Sequence, residues 1–311
     1  MRLHSRLNYW VLSAATAAVL ASFLAASSIA VPQGQSGTEA PQPTPRLPNG
    51  TPNFGRVPGE TGVWDVPYVT NMADRIVSVG GVTVQPKAGV EAGRGRGAAL
   101  AAAQTRGGGR GGARSEPLVP FMPWSAAVYD YNSANVSKYD PEGYCLPPGG
   151  PRLMATPYPM EIIQLPEQKR IIMIFEGATH IWREIYMDGR PHPHGDALNP
   201  TYLGHSVGRW EGDTLVVDVV GFNEGTWLDY FGHPHTDMLH VVERISRPRK
   251  DSLHYEATIE DPGAYTKPFT VSWNIPWDAK DELKEYICQE NNRFLQKLTD
   301  DFGAPIFGKK P

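Results

Sequence analysis

Cysteine is nearly absent from this chain: Cys145 and Cys288 are the only two in 311 residues, so at most one intramolecular bridge can form. An excess of basic charge is also lacking. Lys and Arg number 29 against 33 Asp and Glu, for a formal charge of −4, which does not mark an obvious nucleic-acid binder. Beyond residue 30 no apolar run is long enough to span a bilayer. Long helical periodicity is missing too, except in "NNRFLQKLTDDF" near the end, and this argues against a helical bundle or a βαβ architecture.

The chain does carry a leader. Residues 1–30 place Arg2 and Arg6 before an uncharged apolar stretch, with Ser28 and Ala30 at the small-residue positions of a cleavage site. The expectation is a signal peptide and a periplasmic or secreted protein; the alternative is an uncleaved N-terminal anchor. Removing the leader takes away two arginines and no acid, so the charge goes from −4 to −6. An oxidising compartment would let Cys145 and Cys288 pair, and closing so long a loop could stabilise the fold by up to roughly 5 kcal/mol on the chain-entropy model; two buried free thiols are the alternative.

Residues 31–60 are rich in Pro, Gly and polar side chains without an apolar period, and read as a disordered linker. A short segment at 61–85 contains enough apolar residues to pack on a domain. Residues 86–116 form a Gly/Ala/Arg-rich linker whose Arg-Gly repeats resemble RNA-binding tails, but no aromatic residues interleave for base stacking. From Pro117 to about residue 295 the texture changes to aromatics, β-branched runs and closely spaced turn signals, leaving 296–311 as a tail.

Within that region nine strands are predicted: Met160–Leu165, Arg170–Phe175, His180–Met187, Tyr202–Trp210, Thr214–Phe222, Met238–Ser246, Ser252–Glu260, Phe269–Ile275 and Glu282–Cys288. The turns "PEQK", "EGAT", "WEGD" and "RPRKD" join several of them as hairpins. The expected fold is mainly β, an antiparallel barrel or sandwich of about eight or nine strands. A barrel is preferred because closure removes edge strands and offers an interior for a ligand.

Gly204-His205-Ser206-Val207-Gly208 fits G-x-S-x-G, the nucleophile elbow of α/β-hydrolases. That elbow needs a buried strand before the serine and a helix after it. Here a polar loop precedes Ser206 and the turn "WEGD" leads into another strand, so an α/β-hydrolase is not expected. Gly204 and Gly208 read instead as small residues permitting a bend or the close approach of a neighbour.

Period-two alternation assigns faces. Leu203, His205 and Val207 share one face; Leu239, Val241, Glu243 and Ile245 share another; Arg183 lies with Ile181, Ile185 and Met187. If those apolar faces point inward, Arg183, His205 and Glu243 enter the barrel. Asp218 interrupts an otherwise aliphatic strand. Buried charges must pair with each other, with water or with a ligand. One reading is an Arg–Glu pair that fixes strand register; the other is a polar floor in an apolar small-molecule pocket, with Glu243 or His205 transferring a proton and Arg183 stabilising an anion.

Seven of the nine histidines fall between His180 and His240, including the pairs His192/His194 and His233/His235, each split by a proline. A transition metal is one option, with His192, His205 and His235 as its ligands; the other is a pocket rim that bonds substrate. The long connection "GFNEGTWLDYFGHPHT" supplies Asn223, Trp227 and Tyr230, which with His192 and His235 are candidate substrate-binding residues. Its aromatic faces suit sugar or phenolic rings, or simply cap the barrel end.

The runs "EGYCLPPGGPR", "WREIYMDGRPHP", "NPTYLGHSVGRWEGDTLVVDVVGFNEGTWLD", "GHPHTDMLHVVERISRP", "IEDPGAYTKPFT" and "EYICQENN" together resemble a family of exported, β-rich bacterial proteins that carries no functional name, over roughly Pro117 to Asn292. The resemblance sets His192, His205, Asn223 and His235 within the family's most recognisable motifs and leaves His194 and His233 outside them. It implies a single shared pocket more than a two-pair metal site. Calycin-like barrels give an architectural analogy that says nothing of chemistry.

The sequence thus points to a small-molecule ligand and to acid/base chemistry on a hydroxylated or aromatic compound, of lyase, isomerase or hydrolase type. A carrier or sensor without turnover is the alternative, and a histidine-ligated metal-dependent enzyme a second.

Overall fold

The computed structural model describes residues 42–86, 118–177 and 181–290. Residues 1–30, expected as a signal peptide, most of the Arg-Gly stretch and "NNRFLQKLTDDF" lie outside them.

The fold is mainly β, and nine of its strands close into a mixed barrel. Strands β4 (Pro159–Leu165), β5 (Arg170–Phe175) and β6 (Trp182–Tyr186) form one antiparallel meander. A second meander runs through β7 (His205–Glu211), β8 (Thr214–Val220), β9 (His240–Arg249), β10 (Ser252–Glu260) and β11 (Phe269–Asp278). The two meet where β6 runs parallel to β7, through Ile185↔Ser206 and Tyr186↔Val207. This parallel seam departs from the all-antiparallel expectation. It arises because residues 187–204 form a crossover rather than a hairpin.

The other closure comes from a segment without a strand prediction. β1 (Val63–Asp65) bridges β11 and β4 through Trp64↔Trp277 and Trp64↔Met160. The hairpin of β2 (Ile76–Val79) and β3 (Val82–Thr83) extends the sheet from the start of β11. The run expected as a linker corrects similarly from residue 42 onward. Phe54 is fully buried, its backbone N–H donates to Gln164 Oε1 at 2.6 Å, and the inward Arg247 donates to the Asn53 and Gly55 carbonyls. The segment doubles back in a tight turn, where Arg46 bridges Pro52 and the Gly50 N–H donates to the Leu47 carbonyl at 2.9 Å. Arg247, packed over the ring of Trp64, is stripped of water, and burial pushes its pKa down to about 10.

Two further corrections concern secondary structure. Helix α1 (Pro123–Ala134) went unread because it buries only Ser125 and Asn132, polar residues that bond the Ala264 and Gly232 carbonyls, so no apolar stripe marks it. The predicted strand Glu282–Cys288 forms no ladder. Its chain is fixed by Lys284 N–H to Glu176 Oε2 (3.0 Å), by the Tyr158–Tyr286 hydroxyl pair (3.0 Å), and by the Cys145–Cys288 disulfide, whose Cα atoms lie 5.6 Å apart.

Inward residues alternate as a pleated wall requires: Ile171, Met173 and Phe175 on β5; Val241, Glu243, Ile245 and Arg247 on β9; Leu253, Tyr255, Ala257 and Ile259 on β10. All but Glu243 and Arg247 belong to the one continuous apolar cluster that fills the barrel. The hollow expected for a ligand is therefore occupied by side chains. The gap bordered by Leu153, Arg183, Leu203, Phe222 and Glu243 is too small for a water molecule. Gly208 permits this packing, since a Cβ there would stand 2.5 Å from Met187 Sδ and 2.7 Å from Ile185 Cγ2.

Candidate functional site

Arg183 and Glu243 do enter the barrel, at 5% and 1% exposure. They form a two-pronged ion pair, Nη1 to Oε1 at 3.0 Å and Nη2 to Oε2 at 2.5 Å. Tyr255 donates to Oε1 at 2.8 Å, and Arg183 Nε donates to Ser206 Oγ at 3.0 Å. Burial opposes the guanidinium charge, but the Glu243 carboxylate more than offsets it and holds the Arg183 pKa above its ordinary value. Each partner's polar atoms are engaged within this network. The arrangement is the Arg–Glu pairing that the sequence offered as one reading, and Glu243 borders the small interior gap.

His205 takes the opposite face from the one expected. Leu203 reaches the interior gap, the chain bends at Gly204 with φ of 67°, and the alternation restarts one residue out of step. Ser206 therefore points inward and His205 outward. No elbow exists: β7 continues past Ser206 to Glu211 and turns into β8.

Outside the wall, His205 belongs to a group of side chains drawn from β6, the crossover, β8 and β9. Its Nδ1 lies 2.8 Å from His192 Nδ1, in the crossover. His192 Nε2 lies 3.1 Å from Asp218 Oδ1 on β8, and His240 Nε2 on β9 reaches the same oxygen at 3.0 Å. Tyr186 stacks on the His205 ring at 5.2 Å, and Arg190 covers the other ring at 3.8 Å. Asp218 can only accept at this contact, so His192 carries a proton on Nε2, and a neutral His192 then presents a bare Nδ1. That in turn fixes the His205 proton on Nδ1 and leaves His205 Nε2 as an acceptor. Among the described residues Nε2 has no partner. Partial burial, the neighbouring His192 and the Arg190 charge together lower the His205 pKa, favouring this neutral form.

The geometry is that of a relay. If Nε2 took a proton, the Nδ1 proton could pass across the 2.8 Å contact to His192 Nδ1, whose Nε2 faces Asp218. His205 also lines a cleft of about 520 Å³ between β6 and the crossover, whose walls include Trp182, Tyr186, Leu198, Tyr202 and Leu203. Arg183 and Ser206 border it where the parallel strands part.

The remaining residues read from the sequence stand in the β8–β9 connection, which meets the cleft at Thr201, whose carbonyl accepts from the Asn223 N–H at 2.8 Å. Asn223 Oδ1 accepts from Gly225 N–H at 3.0 Å, closing a turn. Trp227 is half-buried, and Tyr230 packs edge-on against Tyr68. His235 is buried, with Nδ1 3.1 Å from the Thr236 carbonyl and Nε2 2.9 Å from Thr226 Oγ1; burial lowers its pKa. The suggested ligand set His192, His205 and His235 is thereby split. Among the described residues no three His, Cys, Asp or Glu are placed to hold a metal ion. The same connection holds a buried dyad, His233 Nδ1 at 2.6 Å from Asp229 Oδ2.

Asp218, Tyr186 and Trp182 are the site residues that sequence reasoning passed over. Asp218 did leave a signal, as the one charge in an aliphatic strand; its value as a histidine partner is visible only once β7, β8 and β9 lie side by side.

Comparison with protein-family models, with curated proteins and with solved structures finds no match. The resemblance drawn from the sequence motifs therefore gains no support from these comparisons.

Proposed function

We propose that this protein is an acid/base enzyme acting on a small hydroxylated or aromatic molecule in the cleft between β6 and the crossover, with His205 as the proton acceptor. The observation that carries this reading is the Asp218–His192–His205 chain, with contacts of 3.1 and 2.8 Å, ending beside a 520 Å³ cleft. It is a positioned base with an oriented partner behind it, the arrangement that general-base catalysis requires. Arg183 and Glu243 become a positioning pair that holds the wall under the cleft. The N-terminal leader and the Cys145–Cys288 bridge support a site of action outside the cytoplasm.

A stabilisation screen of the purified protein against sugars and phenolic compounds, followed by turnover assays of the hits, tests the proposal. The expected result is turnover that His205→Gln lowers by a factor of about 100 or more, the usual worth of a positioned proton acceptor. Turnover unchanged in His205→Gln overturns it. A ligand that stabilises both proteins equally and is never converted identifies the carrier alternative.

A further inference from the structure

We propose that the cleft takes a planar aromatic ring bearing an acidic hydroxyl, a phenol, laid against Trp182 with its oxygen at Nε2 of His205. This rests on the reading of His205 as the proton acceptor.

The walls supply the first argument. Trp182 is 59% exposed although it belongs to a barrel strand, so its indole is a large apolar face without a covering partner among the described residues. Tyr186, Tyr202, Leu198 and Leu203 continue the apolar lining. A ring slid between such faces gains offset or edge contacts beyond simple area burial. A cleft of 520 Å³ also falls in the size range of small-molecule sites.

Acid strength supplies the second. With His192 engaging Nδ1 at 2.8 Å, Nε2 is the His205 nitrogen left to a ligand, and it arrives as an acceptor. A neutral imidazole ordinarily has a conjugate acid near 6.5, which partial burial, His192 and Arg190 lower in His205, and a phenolic hydroxyl ionises near 10, so the transfer is uphill by more than about 3.5 pH units and favours an acidic phenol. An aliphatic hydroxyl lies much nearer water at about 15.7, beyond what this base can reach unaided. In the step, the phenol O–H bond breaks and its proton joins Nε2. The Nδ1 proton moves to His192, whose new charge rests beside Asp218, and the phenolate stays in the cleft.

4-Nitrophenol serves as the probe, because its absorbance distinguishes phenol from phenolate. Titration into the purified protein, at a pH where the free probe is mostly neutral, should give saturable one-to-one binding with growth of the phenolate band. Trp182→Ala should weaken binding about tenfold, with Trp182→Phe retaining most of it. His205→Gln should still bind but lose the phenolate band. Thermal unfolding of each variant verifies folding, and the exposure of Trp182 makes its replacement harmless to the core. Absent binding, or binding indifferent to Trp182→Ala, overturns the proposal. If methyl glucoside then binds in a His205-dependent way, the phenol specificity alone has failed. Binding that needs Trp182 but gives no His205-dependent phenolate overturns the proposal through its premise, the acid/base reading itself.

Discussion

His192 and His205 face each other Nδ1 to Nδ1 at 2.8 Å, so one ring must donate and the other accept, and Asp218 decides which. Removing that carboxylate should release the choice. Nitrogen-15 NMR of the histidine rings is expected to show His205 protonated on Nδ1 in the native protein. In Asp218→Asn, which can present an amide donor to His192 Nε2, His205 should shift toward the Nε2–H form. An unchanged His205 tautomer would remove Asp218 from the relay. A merely structural Asp218 would alter stability without moving that signal.

The Arg183–Glu243 pair makes a prediction about stability. Each group is buried, and each depends on the other. Glu243→Leu alone should cost about 3–5 kcal/mol, because it strands a buried guanidinium. Arg183→Met combined with Glu243→Leu should recover most of that loss, since neither charge then needs a partner. Urea unfolding of the two single variants and the double variant measures the coupling. Simple additivity would show that the pair does not act as a unit.

His235 sets a pH dependence. Burial lowers its folded pKa below the ordinary value of about 6.5, so between those two values the unfolded chain binds more protons than the native one. The contribution of neutral His235 is complete above about pH 6.5 and is lost as pH falls through the lower folded value, at no more than about 1.4 kcal/mol per pH unit. Unfolding measured at steps from neutral pH down to pH 5 should show stability falling, with a flatter profile in His235→Gln. Identical profiles would assign the acid sensitivity elsewhere.

Reduction of Cys145–Cys288 should be costly but local in its structural effect. The bridge joins positions 143 residues apart and holds the segment that carries Lys284 and Tyr286. Removing it by the double Cys→Ser replacement is expected to lower stability by about 2–5 kcal/mol. Because barrel strands β4 to β11 do not include either cysteine, far-ultraviolet circular dichroism at low temperature should keep its β signature.

The barrel was legible from its strands: Arg170–Phe175 and Ser252–Glu260 read correctly to the residue, because inward apolar positions alternate cleanly there. Inward Arg183 and Glu243 followed from the same rhythm. His205 did not, since a left-handed glycine immediately before it restarts the count, and since the inward places on β7 are filled by Ser206 and Gly208, which look like outward residues by type. They are small because Arg183, Met187 and Ile185 already claim the space. β1 and α1 escaped for a related reason: one is three residues long, and the other buries polar atoms, so neither writes an apolar pattern into the chain.

The parallel seam gives the barrel an uneven mechanical character. β7 pairs with β8 from His205↔Val220 to Glu211↔Thr214, while toward β6 it is joined only around Ile185↔Ser206 and Tyr186↔Val207. Opening concentrates where a ladder is short and its contacts few. The cylinder has two such short closures, this seam and the two-pair contacts that β1 makes with β4 and with β11. The cleft opens along the β6–β7 seam, so a ligand taken there would meet the crossover rather than the packed interior.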